Sequence, residues 1–158
     1  MSLVGCSAGG AAATWTPPFC TIVAADTTDF SYLSCPRCEF ALPERAASCF
    51  ACGQAPVRVY RLLLSVATHD RVIPVVLFDR AARDLTGCPA EELKRLFAAH
   101  PGAARAAAEA LRGEMFRMAL RAPRKGAAAE RIRAVSVVPL RDGFRPVVDT
   151  LRTMYTRG

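Results

Sequence analysis

A chain of 158 residues, 52% hydrophobic and 22% charged, has the composition of one folded domain and lies far from the low-hydrophobicity signature of intrinsic disorder. No stretch reaches the ~20 apolar residues a membrane span needs, and Met1 to Ala13 lacks the basic region of a signal peptide, so neither membrane insertion nor secretion is expected. The formal charge of +7 is uneven: residues 1–34 carry only Asp26 and Asp29, whereas residues 117–158 carry ten basic and three acidic side chains. Such a C-terminal third suits a polyanion or an acidic protein surface, and 19 of the 21 basic residues are Arg, which meets phosphate and carboxylate in a bidentate way.

In chain order, residues 1–18 read as a flexible leader closed by Pro17-Pro18, and β-branched residues between Phe19 and Leu33 predict one or two short strands. Two Cys-x-x-Cys units follow, Cys35-Pro36-Arg37-Cys38 and Cys49-Phe50-Ala51-Cys52. Val57 to Ala67 alternates as a strand, with Tyr60, Leu62, Leu64 and Val66 on one face and Arg61, Ser65 and Ala67 on the other. Thr68-His69-Asp70 is a turn, and Val72 to Phe78 the second strand of that hairpin. From Asp79 to Leu111 apolar residues recur at helical spacing, broken by Gly87 and Pro101-Gly102 into two or three helices. Met115 to Ala122 and Ile132 to Leu140 return to strand patterns. Phe144, Val147, Val148, Leu151, Met154 and Tyr155 then form one apolar stripe on a C-terminal helix.

Five strands with helices between the third and fourth is the layout of an OB fold, a small Greek-key barrel. The expected architecture is therefore mostly β: a five-stranded barrel over residues 19–142, a metal ribbon inserted at 35–56, and a helix over 143–158.

Cys35, Cys38, Cys49 and Cys52 have the spacing of two knuckles that present four sulfurs to one Zn²⁺. Without a secretory signal, disulfides are the poorer alternative. Four thiolates close the coordination sphere, so one structural zinc per chain is expected, with no open position for an activated water. Cys6, Cys20 and Cys88 lack this spacing and read as tail or buried residues, and His69 and His100 as surface residues. No nucleophile elbow, phosphate-cradling loop or paired carboxylates stand in a recognisable setting, so neither an enzyme nor a small-molecule substrate is expected.

Several words, among them Cys35-Pro36-Arg37-Cys38, Val59-Tyr60-Arg61-Leu62, Val75-Val76-Leu77-Phe78-Asp79 and Arg131-Ile132-Arg133, occur in the order of a known module. From about Phe19 onward the chain resembles the C-terminal DNA-binding OB domain of the replication protein A large subunit and its relatives: the shieldin OB-fold subunit, the CST large subunit and the meiosis-specific OB protein. The resemblance implies a nuclear single-stranded DNA-binding and assembly module, cut from a longer protein, in a complex of DNA maintenance, repair or end protection. Phe78 sits where the family places a stacking aromatic, and Arg58, Arg61, Arg121, Arg124 and Lys125 would line its groove. The final helix, through Phe144, Val147, Val148, Leu151, Met154 and Tyr155, would dock a partner subunit. The loop from Ala122 to Ala129 has no aromatic, and the ribbon is shorter than the family's. Strand parity also allows Phe78 to point inward, and the helical stripe to pack on its own barrel. Two other functions fit: a zinc-stabilised scaffold that binds a partner without DNA, and a zinc-ribbon adaptor for an acidic protein.

Overall fold

The alternation across Val57–Ala67 builds the longest strand of the molecule, β5, whose Tyr60, Leu62, Leu64 and Val66 all point inward and are buried. A computed structural model describes residues 13–123 and 131–155, and among these no helix is long and apolar enough to cross a membrane. Ahead of β5 lie β1 (Thr14–Trp15), β2 (Cys20–Asp26), β3 (Ser31–Ser34) and β4 (Ala41–Leu42). After it come β6 (Val72–Phe78), the helices α1 (Asp79–Thr86), α2 (Ala90–Ala99) and α3 (Ala103–Leu111), then β7 (Met115–Arg121), β8 (Ile132–Pro139) and α4 (Val147–Tyr155).

Five of the strands close on themselves in the order β2, β5, β6, β8, β7 and back to β2. A closed ring of five cannot alternate direction throughout. The unavoidable parallel pair is β6 with β8, registered Val75 to Ile132 and Leu77 to Ala134, and every other pair is antiparallel. Helices α1 to α3 carry the chain from β6 to β7, and β8 then inserts between those two strands. This is the OB topology. Irregular register between Ile22 and Ala24, and between Ala119 and Leu120, supplies the local bending that closure of a small ring requires.

The ring is filled by Ile22, Leu64, Val66, Val75, Leu77, Phe116, Met118 and Leu120, each almost wholly buried, and Leu85, Leu93, Leu111 and Leu151 of the four helices join the same core. Tyr60 brings a hydroxyl into it. That hydroxyl donates to the carbonyl of Cys88 at 2.8 Å and accepts from the Thr86 hydroxyl at 2.8 Å. Burial raises the Tyr60 pKa far above the usual phenol value, so the group is held neutral, with both of its hydrogen-bonding roles met.

Two expected boundaries shift. Thr14 and Trp15, in the stretch read as a leader, pair with Arg121 and Leu120 of β7, because the ladder there has room for one more strand. Phe144 lies ahead of α4 rather than on it, and meets Phe116 edge-on at 5.1 Å. Of the cysteines outside the paired units, Cys20 and Cys88 are buried with raised pKa, chiefly from desolvation, and Cys6 lies outside the described residues.

Gly87 ends α1 in the left-handed conformation (φ 80°), its N–H donating to the Arg83 carbonyl at 2.7 Å. A Cβ added there would stand 2.6 Å from Cβ of Pro146 and 3.1 Å from Cγ1 of Val148. Glycine is thus required twice, for backbone conformation and for the approach of the segment leading into α4. Gly87→Ala is expected to lower the unfolding free energy by about 3 kcal/mol, from the left-handed penalty plus the clash, as read by urea denaturation. An unchanged midpoint would show that Pro146 yields freely.

Candidate metal centre and nucleic-acid interface

The two cysteine units fold into matching knuckles. Cys35 N–H donates to the Phe40 carbonyl at 3.0 Å and Glu39 N–H to the Cys35 carbonyl at 2.8 Å; in the second unit Cys49 N–H donates to Gln54 at 2.8 Å and Gly53 N–H to Cys49 at 2.8 Å. The residue after each second cysteine is left-handed, Glu39 at φ 65° and Gly53 at φ 80°. Only the second knuckle has the residue type that adopts this freely. The four sulfurs of Cys35, Cys38, Cys49 and Cys52 lie within 4.8 Å of one another, with Cys35 and Cys52 at 3.5 Å. A tetrahedral zinc with Zn–S near 2.3 Å separates its sulfurs by about 3.8 Å, so the cluster fits the ion. The backbone N–H groups of Cys38 and Arg37 donate to the Cys35 sulfur at 3.2 and 3.4 Å. The first of these is the main reason its pKa falls to about 6, and a thiolate is the form a metal takes. On the ribbon surface Phe40 and Phe50, one from each knuckle, stack with centroids 5.6 Å apart and stay exposed.

Arg58, expected in the groove, is instead consumed by the interior. Its side chain is 6% exposed. It donates to Glu44 Oε1 at 2.6 Å and to Ser31 Oγ at 3.1 Å, with Glu91 Oε1 3.7 Å from its Nε. Glu44 belongs to the ribbon, Ser31 to β3 and Glu91 to α2, so one guanidinium ties the metal ribbon to the ring and to the helices. The bond from Arg58 also holds the Glu44 carboxyl below its usual pKa. A phosphate would have to break these pairs, and Arg58 is removed from the candidate contacts.

Phe78, Arg61 and Arg121 do meet on one surface. Phe78 points outward from the end of β6 and is 36% exposed, which settles its parity. Arg61 of β5 is its cross-strand partner. From the other side, Arg133 of β8 lays its guanidinium carbon 5.8 Å from the Phe78 ring centroid, and Arg133 is paired in register with Arg121 of β7. Among the described residues, none of these three arginines forms an ion pair; Arg121 reaches only the Thr14 hydroxyl at 3.5 Å. Four neighbouring strands thus present one aromatic face among three unneutralised guanidinium groups. Arg124 and Lys125 lie outside the described residues. Sequence parity marks Arg133 as outward, between Ile132 and Ala134, but its position over Phe78 depends on the parallel β6–β8 pairing.

The C-terminal stripe turns inward. Val147, Val148 and Leu151 are at most 1% exposed and belong to the core formed with α1 and α3. Tyr155 stacks on the half-buried His100 with centroids 4.4 Å apart. Arg152 pairs with Glu92 of α2. Of the expected docking set, Val147, Val148 and Leu151 are thus occupied by the chain's own helices, Phe144 and Tyr155 are half-buried, and Met154 is 53% exposed.

No family model matches the chain, and no curated protein matches it. Solved structures do. A chain of a replication protein A heterotrimer bound to ssDNA superposes with TM-score 0.71 at 19% identity, over 84% of this chain and 33% of that one. The fold is shared with replication protein A. A chain of yeast RPA bound to ssDNA superposes with TM-score 0.67 at 19% identity, over 98% of this chain and 90% of that one. The present chain therefore spans about a third of the first neighbour, whereas it matches most of the second.

The metal site predicts one zinc per chain by elemental analysis and its loss in Cys38→Ser, with a fall in thermal stability, because binding to a site absent from the unfolded chain adds to folding free energy. A metal-free protein of equal stability would refute it. Leu151→Ala is expected to cost about 3 kcal/mol of unfolding free energy, measured by denaturation of the isolated chain; no loss would mean that α4 is not held by its own core.

Proposed function

We propose that this chain is an OB module that binds single-stranded DNA across the outer face of β5, β6, β8 and β7. The observation that carries this is Phe78, an exposed ring at the end of β6, on a face with arginines that have no acidic partner among the described residues, on a fold shared with ssDNA-bound replication protein A. The ring offers a flat face on which any base can stack. Arg61, on the neighbouring strand β5, and Arg121, two strands away on β7, would neutralise phosphates of the same backbone. Arg124 and Lys125, in the connection after β7, would extend the positive track.

One zinc held by Cys35, Cys38, Cys49 and Cys52 would be structural, fixing the ribbon that β3 and β5 share. We further place the module in a nuclear, replication protein A-like assembly for DNA maintenance, repair or end protection. Association with other subunits would use a surface other than the α4 stripe, which is buried. A scaffold that docks a partner without touching DNA loses its main support for the same reason, and leaves the unpaired arginines without a role.

The test is fluorescence anisotropy of a labelled single-stranded oligonucleotide with the zinc-loaded protein across a salt series. Binding is expected to weaken steeply with salt, and Phe78→Ala to weaken it about tenfold with the fold intact, the size of one lost stacking contact. Absence of binding at low salt would overturn the proposal.

A further inference from the structure

Arg133 lies over the ring to which the proposed function assigns base stacking. Its guanidinium, a flat cation, lies over the exposed Phe78 ring at 5.8 Å, within the range of a cation–π contact. Among the described residues no ion pair holds it there. No carboxylate among the described residues pairs with Arg133, and its cross-strand neighbour on β7 is Arg121, a like charge. An arginine beside a second cation has the ring as its attractive partner among the described residues of this face. A base stacked on an aromatic gains more than an exposed cation–π contact does, so an incoming base displaces the guanidinium. Once displaced, it stands between the ring and Arg121, where the phosphates flanking a stacked base must pass.

Resting on the DNA-binding function proposed above, we propose that Arg133 is a two-position residue of that site. It covers Phe78 in the free protein and transfers to a backbone phosphate when a base stacks. Its cover shields an apolar ring from water and from adventitious apolar contacts. Its release couples base stacking to phosphate neutralisation, so a ligand with both features binds best. Duplex DNA has phosphates but no free base face, and would leave the cover in place.

The arrangement makes a quantitative statement about two substitutions together. In the native site Arg133→Ala loses a phosphate contact but also removes the cover that a base must displace. In a Phe78→Ala background there is no ring to cover, so the same substitution loses the contact with no offset. Arg133→Ala should therefore weaken single-strand binding about two- to fivefold more in the Phe78→Ala background than in the native one, the strength of an exposed cation–π contact. It should also make the dependence of log K on log salt shallower by about 0.7, one phosphate on a single strand.

The experiment is a double-mutant cycle on native, Phe78→Ala, Arg133→Ala and double-variant protein, each confirmed folded by thermal melting, titrated into a labelled oligothymidine at several salt concentrations. Non-additivity in the stated direction with the shallower slope supports the proposal. A native protein that binds while the cycle is additive overturns it and leaves the DNA-binding function standing. A native protein that fails to bind overturns both.

Discussion

Eleven residues of one strand join the cysteine ribbon to the ring. Along β5, inward side chains fill the ring, the first four residues pair with β3 of the metal ribbon, and the last five pair with β2 to help close the ring. A strand that is continuous across two substructures transmits the position of one to the other, because its ladder bonds cannot slip by one residue without turning the core face outward. The metal ribbon therefore acts as an extension of the ring's own sheet and not as an appended domain. Arg58, on this strand, adds the side-chain link, and it is placed where the ribbon, β3 and α2 converge.

The arginines divide into two populations by what surrounds them. Arg58, Arg141 and Arg152 are paired with Glu44, Glu114 and Glu92, and each pair joins elements far apart in sequence. Arg61, Arg121 and Arg133 lie on the outer face of consecutive strands around one phenyl ring, with no carboxylate partner among the described residues. Exposed ion pairs contribute little to stability, so leaving three cations unpaired costs the fold almost nothing, while their mutual proximity creates a local positive potential available to a polyanion. The excess positive charge is thus partly concentrated, and it is concentrated beside an aromatic side chain at the surface.

The C-terminal helix shows the opposite use of an apolar surface. Its stripe is as regular as an interface helix would require, yet the helices between β6 and β7 already offer a matching apolar face. Closing that gap with the chain's own residues removes Leu151 and Val148 from water, and the missing side chain of Gly87 lets the preceding segment approach.

The ring strands, the helices and the two cysteine pairs were legible in the amino-acid sequence. These are encoded locally: period-2 alternation for β5, helical spacing after Asp79, and Cys-x-x-Cys units whose geometry is settled within six residues. The pairing of Arg58 was not legible from sequence, and the α4 stripe was left open between its own core and a partner, because polarity and periodicity say which face of an element is distinctive, not what lies opposite it. Phe78 had the reverse problem, since a strand at the end of its run can present either parity until its neighbours are fixed. Arg133 over Phe78 was invisible for a related reason: the two residues are brought together by a parallel pairing between strands separated by three helices and β7. Which of the described arginines meet a carboxylate depended on the folded arrangement, because pairing depends on the distance between groups remote in sequence, and that distance is set only when the ring closes.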